Sequence, residues 1–184
     1  AVREAPDLLR HPDRVVAASL TLLGEAAGSR VVTRTGARAG DWIYVTGVLG
    51  GSLRTAHHLR FVPRLREGAW LARHREVRAM MDVSDGLAKD LHALTPPGAA
   101  PALEAAAVPR RRGSDLRAAL TDGEDYELVF AFAARADRET FARAWRRAFP
   151  RTRLSCIGRF VHEGAQTADM IRLADYRGYE QLRR

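Results

Sequence analysis

Short apolar runs, each closed by a glycine or proline turn and separated by amphipathic stretches, constrain this chain more than any other feature of its sequence. Trp42-Ile43-Tyr44-Val45-Thr46, Ala79-Met80-Met81-Asp82-Val83 and residues 126–132 have the length and residue types of buried strands. Residues 15–24, 154–161 and 170–173 read as further strands. Helices are expected over 52–60, directly after Gly86, and over 137–149. In the second, Leu87, Leu91 and Leu94 share one face, and Ser84 or Asp85 can cap it. In the third, Phe141, Trp145 and Phe149 share a face, and Pro150 stops the helix. Residues 95–114, rich in Pro, Ala and Gly, are the least regular stretch. No internal repeat is present. Interleaved strands and helices joined by tight turns favour an α/β or α+β sandwich over a bundle or a β-barrel.

The 184 residues suit one domain, or one domain with an attached segment. Hydrophobic residues at 46% and charged residues at 28% give a globular balance that excludes wholesale disorder. No apolar run has the length of a membrane span, and no secretory signal opens the sequence. One cysteine, Cys156, excludes an intramolecular disulfide framework and points to a reducing cytoplasm. Its place inside an apolar run reads as a buried, inert thiol. The net charge is +8, and Lys89 is the single lysine among 30 basic residues. Arginine suits phosphate recognition, but charge alone does not choose among nucleotides, nucleic acid and acidic partners. Arg110-Arg111-Arg112 reads as a solvated run, with no aromatic residues interleaved for nucleic-acid stacking.

Three segments carry candidate chemistry. In Met81-Asp82-Val83-Ser84-Asp85-Gly86-Leu87, two carboxylates and a hydroxyl lie where a strand hands over to a helix. Helix starts favour anions, and carboxylates beside phosphates suit Mg²⁺ between them. The same pattern also serves as ordinary helix caps. In Asp122-Gly123-Glu124-Asp125-Tyr126-Glu127-Leu128, Glu124 or Asp125 can face a cationic substrate or a metal, or the acids can form a solvated turn. The glycine-rich turns at 34–41 and 46–52 allow close approach of phosphate, with Arg34 or Arg38 to neutralise it; plain turn chemistry explains them equally. His57 and His58 are adjacent and have no zinc-site spacing.

Taken together the segments are far more specific. Arg34-Thr-Gly-Ala, Gly40-Asp-Trp-Ile-Tyr-Val-Thr-Gly47, Asp82-Val-Ser-Asp-Gly-Leu87 and Gly123-Glu-Asp-Tyr-Glu-Leu128 follow one another in an order that resembles the thiamine-monophosphate kinase family of the aminoimidazole ribonucleotide synthetase-like superfamily. The resemblance runs from about Val15 to the C-terminus. It implies an α+β fold, a layered α/β/α sandwich of the superfamily's C-terminal-domain type. It implies residues 1–29 as a connector with the last strand of an N-terminal domain, and 30–184 as the C-terminal domain. It further implies phosphoryl transfer from ATP to thiamine monophosphate with Mg²⁺, in a homodimeric complete enzyme that needs neither nucleic acid nor membrane.

By the same resemblance, Asp82 and Asp85 match Mg²⁺ ligands, Arg34 and Ser84 match ATP contacts, and Glu124 and Tyr179 match contacts to the thiamine phosphate. Gln181 and Leu182 depart from the family's usual His and Phe near Tyr179. The family's acidic N-terminal metal cluster and Gly-Gly-Asp segment have no counterpart in these residues, so the chain is expected to carry only the C-terminal part of the site. The alternative is a non-catalytic nucleotide-binding or assembly module of the same fold. A basic nucleic-acid binder is a third reading, resting on net charge only.

Overall fold

Alternating burial along the apolar runs builds a sheet covered on both faces. The computed structural model describes residues 21, 23, 30–167 and 170–176. β1 (Trp42–Thr46) turns Ile43 and Val45 to one face and Tyr44 to the other, the period-two pattern of a central strand. β4 (Glu127–Phe132) does the same, with Val129 and Ala131 opposite in facing to Phe130 and Phe132. With β2 (Val77–Val83), β3 (Ala99–Leu103) and β5 (Leu154–His162) they form one antiparallel sheet in the order β2-β4-β1-β5-β3. A register shift between Val77 and Ala79 moves β2 by half a repeat, so Val77 and Ala79 join different cores.

Among the described residues, four helices complete the layers: α1 (Leu65–Ala72), α2 (Leu87–Leu94), α3 (Leu116–Thr121) and α4 (Arg138–Ala148). Leu87, Leu91 and Leu94 of α2 and Leu120 of α3 pack on the Val45–Val129 face. Leu71 of α1 and Phe141 and Trp145 of α4 pack with Tyr44, Phe130 and Phe132 on the other. Fully burying each such side chain contributes about 1.5–3 kcal/mol. The result is the expected α/β/α layering. Asp137 begins α4 by accepting the Glu139 and Thr140 amides at 3.0 Å each. Among the described residues, no helix is long and apolar enough to cross a membrane.

Four local expectations are corrected. Residues 52–60 form turns and a short 3-10 helix (His57–Leu59), because Ala56 adopts φ 52 and breaks any longer helix. Residues 95–114 contain β3, whose Pro101 is tolerated on an edge strand. Residues 170–173 make a single bridge, Ile171 to Leu103, because β3 ends at Leu103; a 3-10 turn (Leu173–Asp175) follows. Neither Ser84 nor Asp85 caps α2: Gly86 is the N-cap residue, and the Asp90 carboxylate reaches back to the amides of Ser84 (2.9 Å) and Asp85 (3.1 Å). The expected connector at 1–29 and its strand at 15–24 lie outside the described residues, apart from Thr21 and Leu23.

Candidate functional site

The two acidic segments meet at one end of the sheet. β2 and β4 pair in register, with Asp82 opposite Leu128 and Val83 opposite Glu127. Past the strand ends the backbones stay bonded: the Glu124 amide donates to the Ser84 carbonyl and the Tyr126 amide to the Val83 carbonyl, both at 2.8 Å. Asp82 is exposed, and Ser84, Asp85 and Glu124 are half-buried, so none is turned into the packed core. Tyr126 Oη donates to Glu124 Oε2 at 3.0 Å, and the Tyr126 ring stacks on Phe61 with centroids 4.1 Å apart. Burial raises the Tyr126 phenol above its ordinary range. Its bond to Glu124 and the negative charges of Glu124, Asp82 and Asp85 push the same way.

Glu124 and Tyr126 have φ of 58 and 52, left-handed backbone unusual for non-glycine residues. Such strain persists only where surrounding contacts over-determine it. Here the neighbouring acids supply them. Asp125, only 1% exposed, accepts the Gly50 amide at 2.8 Å and pairs with Arg111 Nη2 at 3.2 Å. Asp122 accepts the Gly51 amide at 2.8 Å. His57 Nε2 lies 3.3 Å from the Asp125 carbonyl, and Ser52 Oγ donates to the Glu124 carbonyl.

These bonds sort the sequence candidates. Of the paired alternatives Glu124 and Asp125, Asp125 is buried and committed to the scaffold, while Glu124 stays half-buried and bonds only Tyr126 through its side chain among the described residues. The glycine turn at 46–52 is no phosphate cradle, since its Gly50 and Gly51 amides are already held by carboxylates. Arg111 is not part of a solvated run: it donates to the Gly50 carbonyl and to Asp125, while Arg110 and Arg112 stay exposed. Cys156 is half-buried, and burial raises its thiol above the usual range, as expected of an inert thiol. Arg34 is exposed on a segment bonded to the β2 edge, where the Thr33 carbonyl accepts the Met80 amide at 3.0 Å. Among the described residues, no hydrogen bond or ion pair joins Arg34 to Asp82, Asp85 or Glu124. Tyr179, and the ending around it, lies outside the described residues.

Asp90 was missing from the sequence candidates, yet it holds the loop that presents Asp85. Its signal was present: an acid on the Leu87-Leu91-Leu94 face of a helix is a buried polar group that needs partners. Burial pushes its pKa up to about 6, with the charges of Asp85 and Asp82 adding to the rise. Arg111 and Phe61 carried no local signal.

As to a metal, Asp82 and Asp85 offer the hard oxygen donors that Mg²⁺ prefers. Lys89 Nζ stands 2.7 Å from Asp85 Oδ2, so a cation already balances that carboxylate. Among the described residues, no group of three or more His, Cys, Asp or Glu side chains is placed to hold a metal ion. The donor set fits a shared site, completed by phosphate oxygens or by other ligands, rather than a self-sufficient cage.

Asp125 gives a pH prediction. Desolvation raises its pKa from 3.8 to about 6 in the folded chain, against the opposing bonds from Gly50 and Arg111. The folded state therefore holds this proton more tightly than the unfolded state. The stability it contributes is fully present below pH 3.8 and is lost as pH rises through about 6. Relative to Asp125→Asn, the wild-type unfolding free energy is expected to fall by about 2 kcal/mol between pH 4 and pH 7. Urea denaturation of both proteins at the two pH values measures this; parallel pH profiles would contradict it.

Comparisons with known proteins bear on the sequence and the fold. No family model matches the chain. It is 38% identical over 132 residues to the thiamine-monophosphate kinase of Rhodopirellula baltica, covering 66% of this chain and 41% of that relative. The crystal structure of thiamine-monophosphate kinase from Stenotrophomonas maltophilia superposes with a TM-score of 0.61 at 29% identity, over 71% of this chain and 50% of that one. A complex of AaThiL with AMPPCP and TMP superposes with a TM-score of 0.56 at 24% identity, over 74% of this chain and 52% of that one, and shares the fold. The chain thus spans about half the length of the proteins it matches.

Proposed function

We propose that this chain, thiamine-monophosphate-kinase-like in sequence and fold, is the C-terminal part of an enzyme that transfers a phosphoryl group from ATP to thiamine monophosphate. One observation carries the reading. The amide of Glu124 and the carbonyl of Ser84 are bonded at 2.8 Å, so Asp82, Ser84 and Asp85 stand beside Glu124 at one end of the sheet, which supports the reading.

In this reading Asp82 and Asp85 hold Mg²⁺ against the ATP phosphates, and Ser84 and Arg34 contact the nucleotide. When bound, the cation supplies the charge neutralisation that phosphoryl transfer depends on. Glu124 faces the cationic acceptor, held in place by the Tyr126 hydroxyl. Tyr179 is assigned to the acceptor's ring. No general base is required of this chain, because the acceptor phosphate is itself an anionic nucleophile. Half a site implies that the remaining acidic ligands come from the other part of the enzyme, with residues 1–29 as connector and a homodimer as the working assembly. The single cysteine suits a reducing cytoplasm.

The test is a titration of ATP with Mg²⁺ into the 184-residue chain, then an assay with thiamine monophosphate added. Magnesium-dependent ATP binding that weakens about tenfold or more in Asp85→Asn is expected, since a charge-assisted contact is lost. In the complete enzyme the same substitution is expected to abolish turnover. Unchanged binding and near-normal turnover would remove Asp85 from the mechanism. Nucleotide binding without turnover in any assembly favours the module reading instead.

A further inference from the structure

A second cluster of charge lies at the other end of β2. Arg30, Gly36, Arg38, Arg75 and Arg78 line an open cleft of about 560 Å³. Its lining carries four guanidinium groups and no carboxylate. From Arg78 to Asp82 is four residues of strand, about 13 Å along β2, so the cleft is separate from the acidic cluster of Asp82, Asp85 and Glu124.

Two of the arginines are fixed. Arg30 donates to the His74 carbonyl at 2.9 Å and to the Val77 carbonyl, which pins it against the start of β2. Arg78 pairs with Asp41 Oδ1 at 3.4 Å, and Asp41 is itself held by the Arg38 and Ala134 amides. The other two, Arg38 and Arg75, are exposed, and their guanidinium groups make no hydrogen bond or ion pair among the described residues. Gly36 packs so closely on the Arg78 carbonyl that no side chain fits there, which leaves bare backbone as one wall. A rigid cationic floor with a free cationic rim is preorganised for an anion.

We infer that this arginine cleft binds an oligophosphate, either a free polyphosphate or the phosphate tail of a nucleotide. Guanidinium groups pair with phosphate oxygens two at a time, and the two unpaired rim arginines, above a floor that holds two more, match an anion of several charges better than a single phosphate. The volume lies within the usual range for small-ligand sites, and a lining with no apolar or aromatic residue side chain beyond the arginines argues against recognition of a base or an apolar body. A nucleic-acid strand would need a longer basic track with stacking platforms.

The experiment is isothermal titration of inorganic triphosphate, and in parallel ATP, into the whole chain at low salt without divalent cations. Removing the metal separates this cleft from the Mg²⁺-dependent site proposed above. Wild type is expected to bind triphosphate. The double substitution Arg38→Ala with Arg75→Ala should weaken it by about tenfold or more, because two rim contacts vanish. Arg117→Ala with Arg147→Ala removes equal charge from exposed positions elsewhere and should change affinity by less than about twofold. Both rim residues are exposed, so the variants should fold, and circular dichroism checks that. ATP and triphosphate weakening together shows that phosphate is what is read. Four results overturn the inference: no triphosphate binding by wild type, full binding by the rim variant, equal loss in the control variant, or loss for ATP alone. Binding of an RNA oligomer without triphosphate binding would overturn it as well.

Discussion

Glu127→Ala is expected to lower the unfolding free energy by about 3 kcal/mol, the lower end of the range for breaking a buried ion pair. Glu127 is 2% exposed. Its carboxylate takes two bonds of 2.7 Å from Arg64, from Nε and Nη2, and a third of 2.7 Å from Thr46 Oγ1. Thr46 in turn accepts the Leu128 amide at 2.8 Å. The network joins the end of β1, the start of β4 and the residue before α1. Alanine leaves the Thr46 hydroxyl without its acceptor and Arg64 with only Glu67, at 3.7 Å. The Arg64 side chain is 21% exposed and can partly rehydrate, which is why the loss falls at the lower end.

Urea denaturation measures the effect, and hydrogen exchange should show faster opening of residues 124–128. The double substitution Arg64→Met with Glu127→Leu should cost less than Glu127→Ala alone, because no charge is then stranded. A loss under about 0.5 kcal/mol for Glu127→Ala would show that water or a shifted side chain replaces the network.

Gly158→Ala should cost a similar amount, about 3 kcal/mol, through backbone overlap rather than charge. In the β1–β5 ladder Ile43 pairs with Gly158 and Tyr44 with Cys156, so Ile157 is an extra residue, a bulge. There Gly158 has φ 154, and a Cβ would overlap the Ala102 carbonyl of β3. The obstacle is backbone, which cannot swing aside as a side chain can, so the β3–β5 pairing must open. Gly98→Ala is the matched control. It has φ 69 and nothing within 4 Å of the added carbon, so only the left-handed conformation is penalised, by about 1 kcal/mol. Equal losses in the two variants would sink the packing account.

Much of the fold was legible because burial imposes a period on the sequence. The strands at 42–46, 79–83 and 126–132 and the helices after Gly86 and at 137–149 came from runs whose spacing only one kind of element satisfies. Elements with weak patterns escaped. α1 (Leu65–Ala72) contains Gly68, α3 (Leu116–Thr121) is a turn and a half, and β3 (Ala99–Leu103) is mostly alanine and proline. Each is held by its neighbours rather than by its own residues. Residues 52–60 failed as a helix for the same reason: bonds from Gly50, Gly51 and Ser52 to residues 122–125 outweigh local preference.

The sequence alone determined which chemistry is available: acids beside a strand-to-helix junction, more acids before a second strand, and arginines throughout. It could not assign an orientation to each acid. Glu124, Asp125 and Glu127 lie within four positions, yet one stays half-buried beside Ser84 and two are buried against Arg111 and Arg64. That choice depends on which cation arrives from a distant segment, and on two left-handed residues that long-range contacts hold in place. Pairing of β2 with β4, a contact between residues some 45 positions apart, then sets Asp82 and Asp85 beside Glu124. Linear spacing carries no term for such a contact, so only the folded chain decides it.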